Sequence, residues 1–359
     1  MNKYKKCHVN SHNEWDKLEE VIVGVMQGAA VPDWDLALEA TMPEESYELF
    51  KSFSNSRFPV EHYESACLEL DGLASMLSKR GIVVTRPDCI DHAKPFATPD
   101  WKSSGGLYAA MPRDILLVIG DTIIESPMSW RSRYFEINAY RSLLKNYFSK
   151  GAKWISAPRP QLLDCLYNVD YDKLDPRGAE SFVIRNDEPL FDAADFIKCG
   201  FDIFAQLSHV TNRMGIEWVR RHIDKAYTIH IIEPNDPAPM HIDATFMPLS
   251  PGKVLLNPDR MMGVPHVLKD WDVRYSPSST IPDTHRMYMS STWVNMNVLA
   301  LDPSTIVIEA QEHPLGDMLA DWGFDVIGVP FRNVMRFGGA FHCVTCDVRR
   351  AGGLTSYIP

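Results

Sequence analysis

The chain has 359 residues, 45% of them apolar and 23% charged, with a net charge of −11. That is enough chain to bury a large core, and no apolar run approaches the roughly 20 residues that a membrane helix requires. Lys and Arg are scattered rather than gathered in a basic stripe, which excludes the usual footprint of nucleic-acid binding, and an acidic protein suits small cationic substrates.

The opening stretch, MNKYKKCHVNSHNEWDKLEEVIVG, is basic but has neither the apolar core of a secretory signal nor the Arg/Ser richness of a transit peptide. No low-complexity linker interrupts the chain, so residues 1–359 read as a single domain with 1–12 as a flexible arm. The seven cysteines (Cys7, Cys67, Cys89, Cys165, Cys199, Cys343 and Cys346) are odd in number and irregularly spaced. They read as free thiols in a reducing compartment, with the cytosol expected.

In chain order, one pattern recurs five times. HYESACLELDGLASMLSKRGIVVTRP sets Tyr63, Ala66, Leu70, Leu73 and Leu77 at helical spacing, breaks at Gly81, and runs through the β-branched stretch Ile82–Thr85 to Pro87. YRSLLKNYFSKGAKWISAP ends in the same way at Pro158, GIEWVRRHIDKAYTIHIIEP at Pro234, HVLKDWDVRYSP at Pro277 and LGDMLADWGFDVIGVP at Pro330. Each reads as helix, turn, strand and a stopping proline. Between them lie hairpin-like runs that turn at Gly120-Asp121, Pro251-Gly252 and Pro303-Ser304. Repeated helix–strand modules point to an α/β arrangement of blades around an axis, and no G-x-G-x-x-G follows a strand to argue for a dinucleotide fold.

Four stretches carry polar groups able to do chemistry. In GLYAAMPRDILLVIG, Asp114 enters an apolar strand, where a carboxylate is most often a turn residue. In EPLFDAADFIKCG, Asp192 stands beside Phe191 at a strand end, placed to orient an imidazole, and Asp195 reads as the N-cap of a following helix. PMHIDATFMPLSPGKVLLNPDR opens with His241 and Asp243, which share a face if the segment is a strand, and closes with Arg260.

The fourth stretch, FGGAFHCVTCDVRRAG, holds a C-x-x-C. A structural zinc site would need a second such pair, and a redox pair belongs at a helix N-terminus in a βαβ unit. Cys343 as a nucleophile with Cys346 as a bystander remains open, as does the reading that both are buried small hydrophobes. A thiol, a histidine, several carboxylates and an arginine would suit a planar cation such as a guanidinium. Carboxylates can hold the cation by paired hydrogen bonds, and the cation in turn favours the thiolate.

FGGAFHCVTCDVRR, MHIDATF, LFDAADF, MPRD, NPDR, MSSTWVNMNVL and MSWRSRYFE together resemble the L-arginine amidinotransferases, members of the guanidino-modifying superfamily. The resemblance runs from about Asn13 to Tyr357 and is nearest to the glycine amidinotransferases and to bacterial members of toxin and antibiotic pathways. It implies the five-bladed pseudosymmetric α/β propeller, or pentein fold. It also implies Cys343 as nucleophile, His241 as general acid/base and Asp192 as its partner, with Asp114 and Asp243 gripping the guanidinium. Arg260, Ser290 and Ser291 would hold the amino-acid end of the donor, and Tyr108 and Met240 would line the pocket. The implied partners are L-arginine and a primary amine, glycine or lysine, with no metal or organic cofactor and assembly as a homodimer. Two other readings compete: a deiminase-like hydrolase that forms citrulline, and a propeller that binds a ligand without catalysis.

Overall fold

The computed structural model describes residues 7–171, 182–289 and 291–358. Among these, five three-stranded sheets repeat one pattern, a first strand antiparallel to a second and a third parallel to that second. In chain order of their second strands they are Thr345–Arg350 with Leu18–Val23 and Val83–Thr85, then Leu116–Ile119 with Thr122–Glu125 and Lys153–Ser156. Phe196–Cys199, Asp202–Gln206 and Thr228–Ile232 follow. Phe246–Ser250, Lys253–Leu256 and Asp272–Tyr275 form the fourth, and Leu299–Asp302, Thr305–Glu309 and Asp325–Val329 the fifth. This is the five-bladed α/β propeller implied by the resemblance.

Tight turns join first strand to second in four sheets, including the three predicted hairpins. The hairpin through Gly200, where φ is +74°, was hidden because Asp195 read as a helix cap. No helix follows Asp195; it ends a short 3₁₀ turn, Ala193–Asp195, that runs into the strand Phe196–Cys199.

A parallel third strand needs a crossover, and a helix supplies it in four sheets. Val60–Lys79, Arg141–Ser149, Arg213–His222 and His313–Asp321 are those helices, and in the first of them Ala66, Leu70, Leu73 and Leu77 are the buried residues, as their spacing predicts. The fourth module differs from expectation: HVLKDW forms only the 3₁₀ turn His266–Leu268. Six residues separate Pro265 from the strand that begins at Asp272, too few for a helix and its exit.

The first strands are the buried ones and the third strands the more exposed, so the first strands ring the axis. Each inner strand or the turn leading into it packs on the next, and Leu299–Asp302 meets Leu18–Val23 to complete the circuit. The strand Leu18–Val23 is thus held between Thr345–Arg350 and Val83–Thr85, so the first and last strands lie in one blade.

Residues 7–12 are also part of the fold rather than an arm. Val9 and Ser11 are buried, Asn10 exchanges backbone hydrogen bonds with Val348 and Arg350, and Ser11 does so with Gly120. Residues 1–6 lie outside the described residues. No helix among the described residues is long and apolar enough to cross a membrane.

Buried charges at the axis are paired, as burial demands. Arg113 reaches Glu14 at 3.1 Å and Asp347 at 2.6 Å, Lys198 reaches Glu14 at 3.4 Å, and Arg350 reaches Asp347 at 2.6 Å. Arg113 Nε also donates to the carbonyls of His342 and Thr345, which pins the backbone on both sides of Cys343.

Candidate active site

Every blade presents polar side chains from the residues just ahead of its inner strand. Asp114 precedes Leu116–Ile119, Asp192 precedes Phe196–Cys199, and His241 and Asp243 precede Phe246–Ser250. Asn297 precedes Leu299–Asp302 and Cys343 precedes Thr345–Arg350. Because the inner strands ring one axis, their entry ends converge, and residues far apart in sequence meet at the mouth of the ring.

The local structures differ from a plain strand. Asp114 lies in the one-turn helix Pro112–Ile115. His241 and Asp243 do not alternate along a strand as expected. His241 has a φ of +61° and Asp243 sits in the 3₁₀ turn Ile242–Ala244. A β-carbon-bearing residue held there stores about 1–3 kcal/mol of strain, and in this conformation the imidazole meets Asp192. Gly338, with φ of +102°, and Gly339 form the bend before Cys343. A β-carbon at Gly339 would stand 2.5 Å from Cys343 Cβ and 3.0 Å from its sulfur, so the second glycine of FGG leaves room for the thiol.

The cavity at this mouth has a volume of about 200 Å³. Its walls include Met240, His241, Asp243, Arg260, Ser291, Asn297 and Cys343, with Thr41, Met42 and Pro43 reaching over from the segment after the helix Leu36–Thr41 begins. Cys343 Sγ lies 3.4 Å from Asp243 Oδ2 and accepts a hydrogen bond from Asn297 Nδ2 at 3.1 Å. His241 Nε2 meets Asp192 Oδ2 at 3.1 Å, and its Nδ1 is 3.7 Å from Asp114 Oδ1. Behind them Arg133 Nη1 holds Asp114 at 2.9 Å and Asp192 at 3.4 Å, while its Nε bonds Glu136 at 2.9 Å. One oxygen each of Asp114 and Asp192 is buried without a hydrogen-bond partner, and neither residue is among those lining the cavity.

These surroundings set the charges. Burial and the neighbouring Asp243 carboxylate push the Cys343 thiol up to about 12, against the pull of the His241 hydrogen bond. Burial works against a charged His241, but the Asp114 carboxylate and the Asp192 hydrogen bond outweigh it and hold the imidazolium well above the usual histidine range. Burial would raise Asp243, yet its hydrogen bond and charge pairing with His342 keep its carboxyl below the usual range. Burial raises Asp114 despite His241 and Arg133, and lifts Glu136 to about 7.

Asp192, His241, Asp114, Asp243 and Cys343 are therefore brought together. Arg260 also lines the cavity, 2.8 Å from Asp236 and 3.1 Å from the Ser291 hydroxyl. Ser290 lies outside the described residues. Tyr108 is set back from the cavity, its hydroxyl donating to the Phe337 carbonyl at 2.5 Å just behind Gly338. Cys346 faces away, toward the Leu116 carbonyl, and all seven cysteines are free.

Asp114, His241 and Cys343 offer ligand atoms within 4.8 Å of one another, a set that could hold a metal ion. Asp114 is already engaged by Arg133 and His241 by Asp192. The excess of carboxylates around a neutral thiol suits an organic cation. Sequence reasoning missed Arg133, Glu136 and Asn297. All three lie in the stretches MSWRSRYFE and MSSTWVNMNVL, whose shared wording was the available signal.

No family model matches the chain. It is 47% identical over 350 residues to the L-arginine:L-lysine amidinotransferase of Pseudomonas savastanoi pv. phaseolicola, covering 98% of this chain and 96% of that protein. It is also 47% identical over 364 residues to the mitochondrial glycine amidinotransferase of Gallus gallus, covering 99% and 86%. Among solved structures, SxtG, an amidinotransferase from Microseira wollei in the saxitoxin biosynthetic pathway, superposes with a TM-score of 0.91 at 44% identity over 98% of this chain and all of that one. Identity at this level through nearly the whole chain, on a shared fold, makes this protein a transferase of the amidinotransferase family.

Proposed function

We propose that this amidinotransferase moves the amidino group of L-arginine through a covalent intermediate on Cys343 to a primary amine, glycine or lysine, and releases L-ornithine. The observation that carries the residue assignment is that Cys343, His241 and Asp243 line one cavity, with Asp243 beside the sulfur and Asp114 and Asp192 beside the imidazole, the five residues coming from four blades. The choice of acceptors rests on the relatives' names.

The guanidinium enters against Asp114 and Asp243, and Arg260 with Ser291 and Ser290 takes the amino-acid end. Arrival of a cation reverses the field that keeps Cys343 protonated. The thiol proton leaves toward Asp243, the carboxylate within hydrogen-bond reach of the sulfur, and on to solvent. The thiolate forms a bond to the guanidinium carbon. His241, already an imidazolium, gives its proton to the departing amine as the C–N bond breaks, and ornithine carries that proton away. An amidino-thioether remains on Cys343.

The acceptor amine then occupies the place ornithine left. The neutral amine attacks the amidino carbon and gives one proton to the neutral His241 as the C–N bond forms and the C–S bond breaks, and the released thiolate regains its proton from solvent, which restores the starting imidazolium and thiol. Asp192 and Arg133 fix the imidazole and the carboxylates throughout. We take the chain to act as one domain in the cytosol, in keeping with seven unpaired thiols.

The test is a product assay with L-arginine alone and with glycine, lysine or another amine. Ornithine should appear in step with one amine and its guanidino product. Citrulline formed without any amine would make the protein a hydrolase.

A further inference from the structure

Asn297 occupies in the fifth blade the position from which the other four blades send polar groups to the site, just ahead of the inner strand Leu299–Asp302. It is 1% exposed, and both the oxygen and the nitrogen of its amide are engaged. Oδ1 accepts the backbone N–H groups of Ala340 at 2.9 Å and Cys343 at 3.0 Å, and Nδ2 donates to Cys343 Sγ at 3.1 Å. The two backbone donors fix the orientation of the amide, since only the oxygen can accept them, and this leaves the NH₂ to face the sulfur. The backbone carbonyl of Asn297 also accepts from His342 N–H, so the residue is tied to the thiol-bearing segment from both ends.

We propose that Asn297 is a catalytic residue of the transfer, donating its side-chain N–H to the Cys343 sulfur whenever that atom carries negative charge. This rests on Cys343 being the nucleophile. The charged groups around the sulfur are poorly suited to the task. Asp243 opposes a thiolate, and His241 must surrender its proton to the leaving amine. An amide N–H has no proton to lose, so it serves the sulfur twice: as the attacking thiolate, and again when the thioether bond breaks and the thiolate departs. A hydrogen bond to a charged acceptor is about twice as strong as one to a neutral acceptor. The contact therefore tightens as charge builds on sulfur and slackens in the thioether, the weighting that lowers a barrier rather than merely binding the ground state.

The test compares Asn297→Asp with Asn297→Ala. Aspartate keeps the shape and an oxygen for the two backbone N–H groups, but when ionised it has no hydrogen for the sulfur; alanine removes both. The pH dependence of Cys343 alkylation by iodoacetamide is read alongside the thermal midpoint, ornithine release without acceptor, and amine-dependent discharge of the adduct. Both variants should shift the alkylation profile to higher pH, slow alkylation at neutral pH about tenfold, and slow both half-reactions together. If Asn297→Ala does not fold, Asn297→Asp carries the comparison. A lowered thermal midpoint with an unmoved alkylation profile in folded protein would make Asn297 a scaffold residue only and overturn the proposal. Persistent transfer by Cys343→Ala is a separate result, which would remove the nucleophile assignment itself.

Discussion

Asp243 Oδ2 is shared between two neighbours in the chain, standing 3.4 Å from Cys343 Sγ and 2.8 Å from His342 Nδ1. Its hydrogen bond and charge pairing with His342 hold the carboxyl below its usual range, and burial together with that negative charge pushes the adjacent thiol up. In the proposed reaction the same charge grips the guanidinium. Removing it should therefore move two measurements in opposite directions. In Asp243→Asn, alkylation of Cys343 in the free protein should become faster at neutral pH because the thiol is less opposed, while kcat/KM for transfer falls roughly 100-fold. Both rates falling together would contradict the dual assignment.

The His241 imidazolium is held above the ordinary histidine range by Asp114 and Asp192. A raised value keeps the proton in place at neutral pH, and loss of the proton as pH rises stops ornithine release. Asp192→Asn should lower that value, so the alkaline limb of acceptor-free ornithine release moves to lower pH, with a rate loss of roughly 100-fold or more where the imidazole has lost its proton. An unmoved limb would place the acid elsewhere.

Gly339 has no space for a side chain, since a β-carbon there stands 2.5 Å from Cys343 Cβ. Gly339→Ala should lose about 1–3 kcal/mol of stability through overpacking and also displace the sulfur. Denaturant titration and transfer assays on the folded variant separate the two effects. Unchanged activity would show that the bend yields without moving the thiol.

Arg260 lines the cavity with the thiol and donates to the Ser291 hydroxyl. Arg260→Lys keeps the charge but loses the planar fork, so KM for arginine should rise roughly tenfold. Cys343 alkylation in the free variant should stay at its original rate. A change in kcat alone would argue against a role in holding substrate.

What could be read from the chain follows what is local. The hairpins at Gly120-Asp121, Pro251-Gly252 and Pro303-Ser304 and four helix–strand modules carry turn chemistry and apolar periodicity within short windows. The fourth crossover could not be judged this way, because the pattern around Val267 and Leu268 resembles a helix while the distance from Pro265 to Asp272 forbids one. His241 read as a strand residue, since nothing in MHIDATF announces a φ of +61°.

Cys343 and His241, the proposed nucleophile and its histidine, were singled out through shared motif wording, and the structure brings them to one cavity. Arg133 and Asn297 lay inside such motifs without a visible task. Their roles exist only once the ring brings Arg133 beside Asp192 and Asn297 beside Cys343, partners 59 and 46 residues away. The repeat itself held a clue, since the position ahead of each inner strand recurs in every blade.

The most direct test of the account is mass spectrometry of the protein mixed with L-arginine in the absence of acceptor. One added amidino group is expected, located on the peptide that carries Cys343, formed with one equivalent of ornithine and discharged on adding the acceptor amine with its guanidino product. An adduct on any other residue, or amine-dependent product formed by Cys343→Ala, would contradict it.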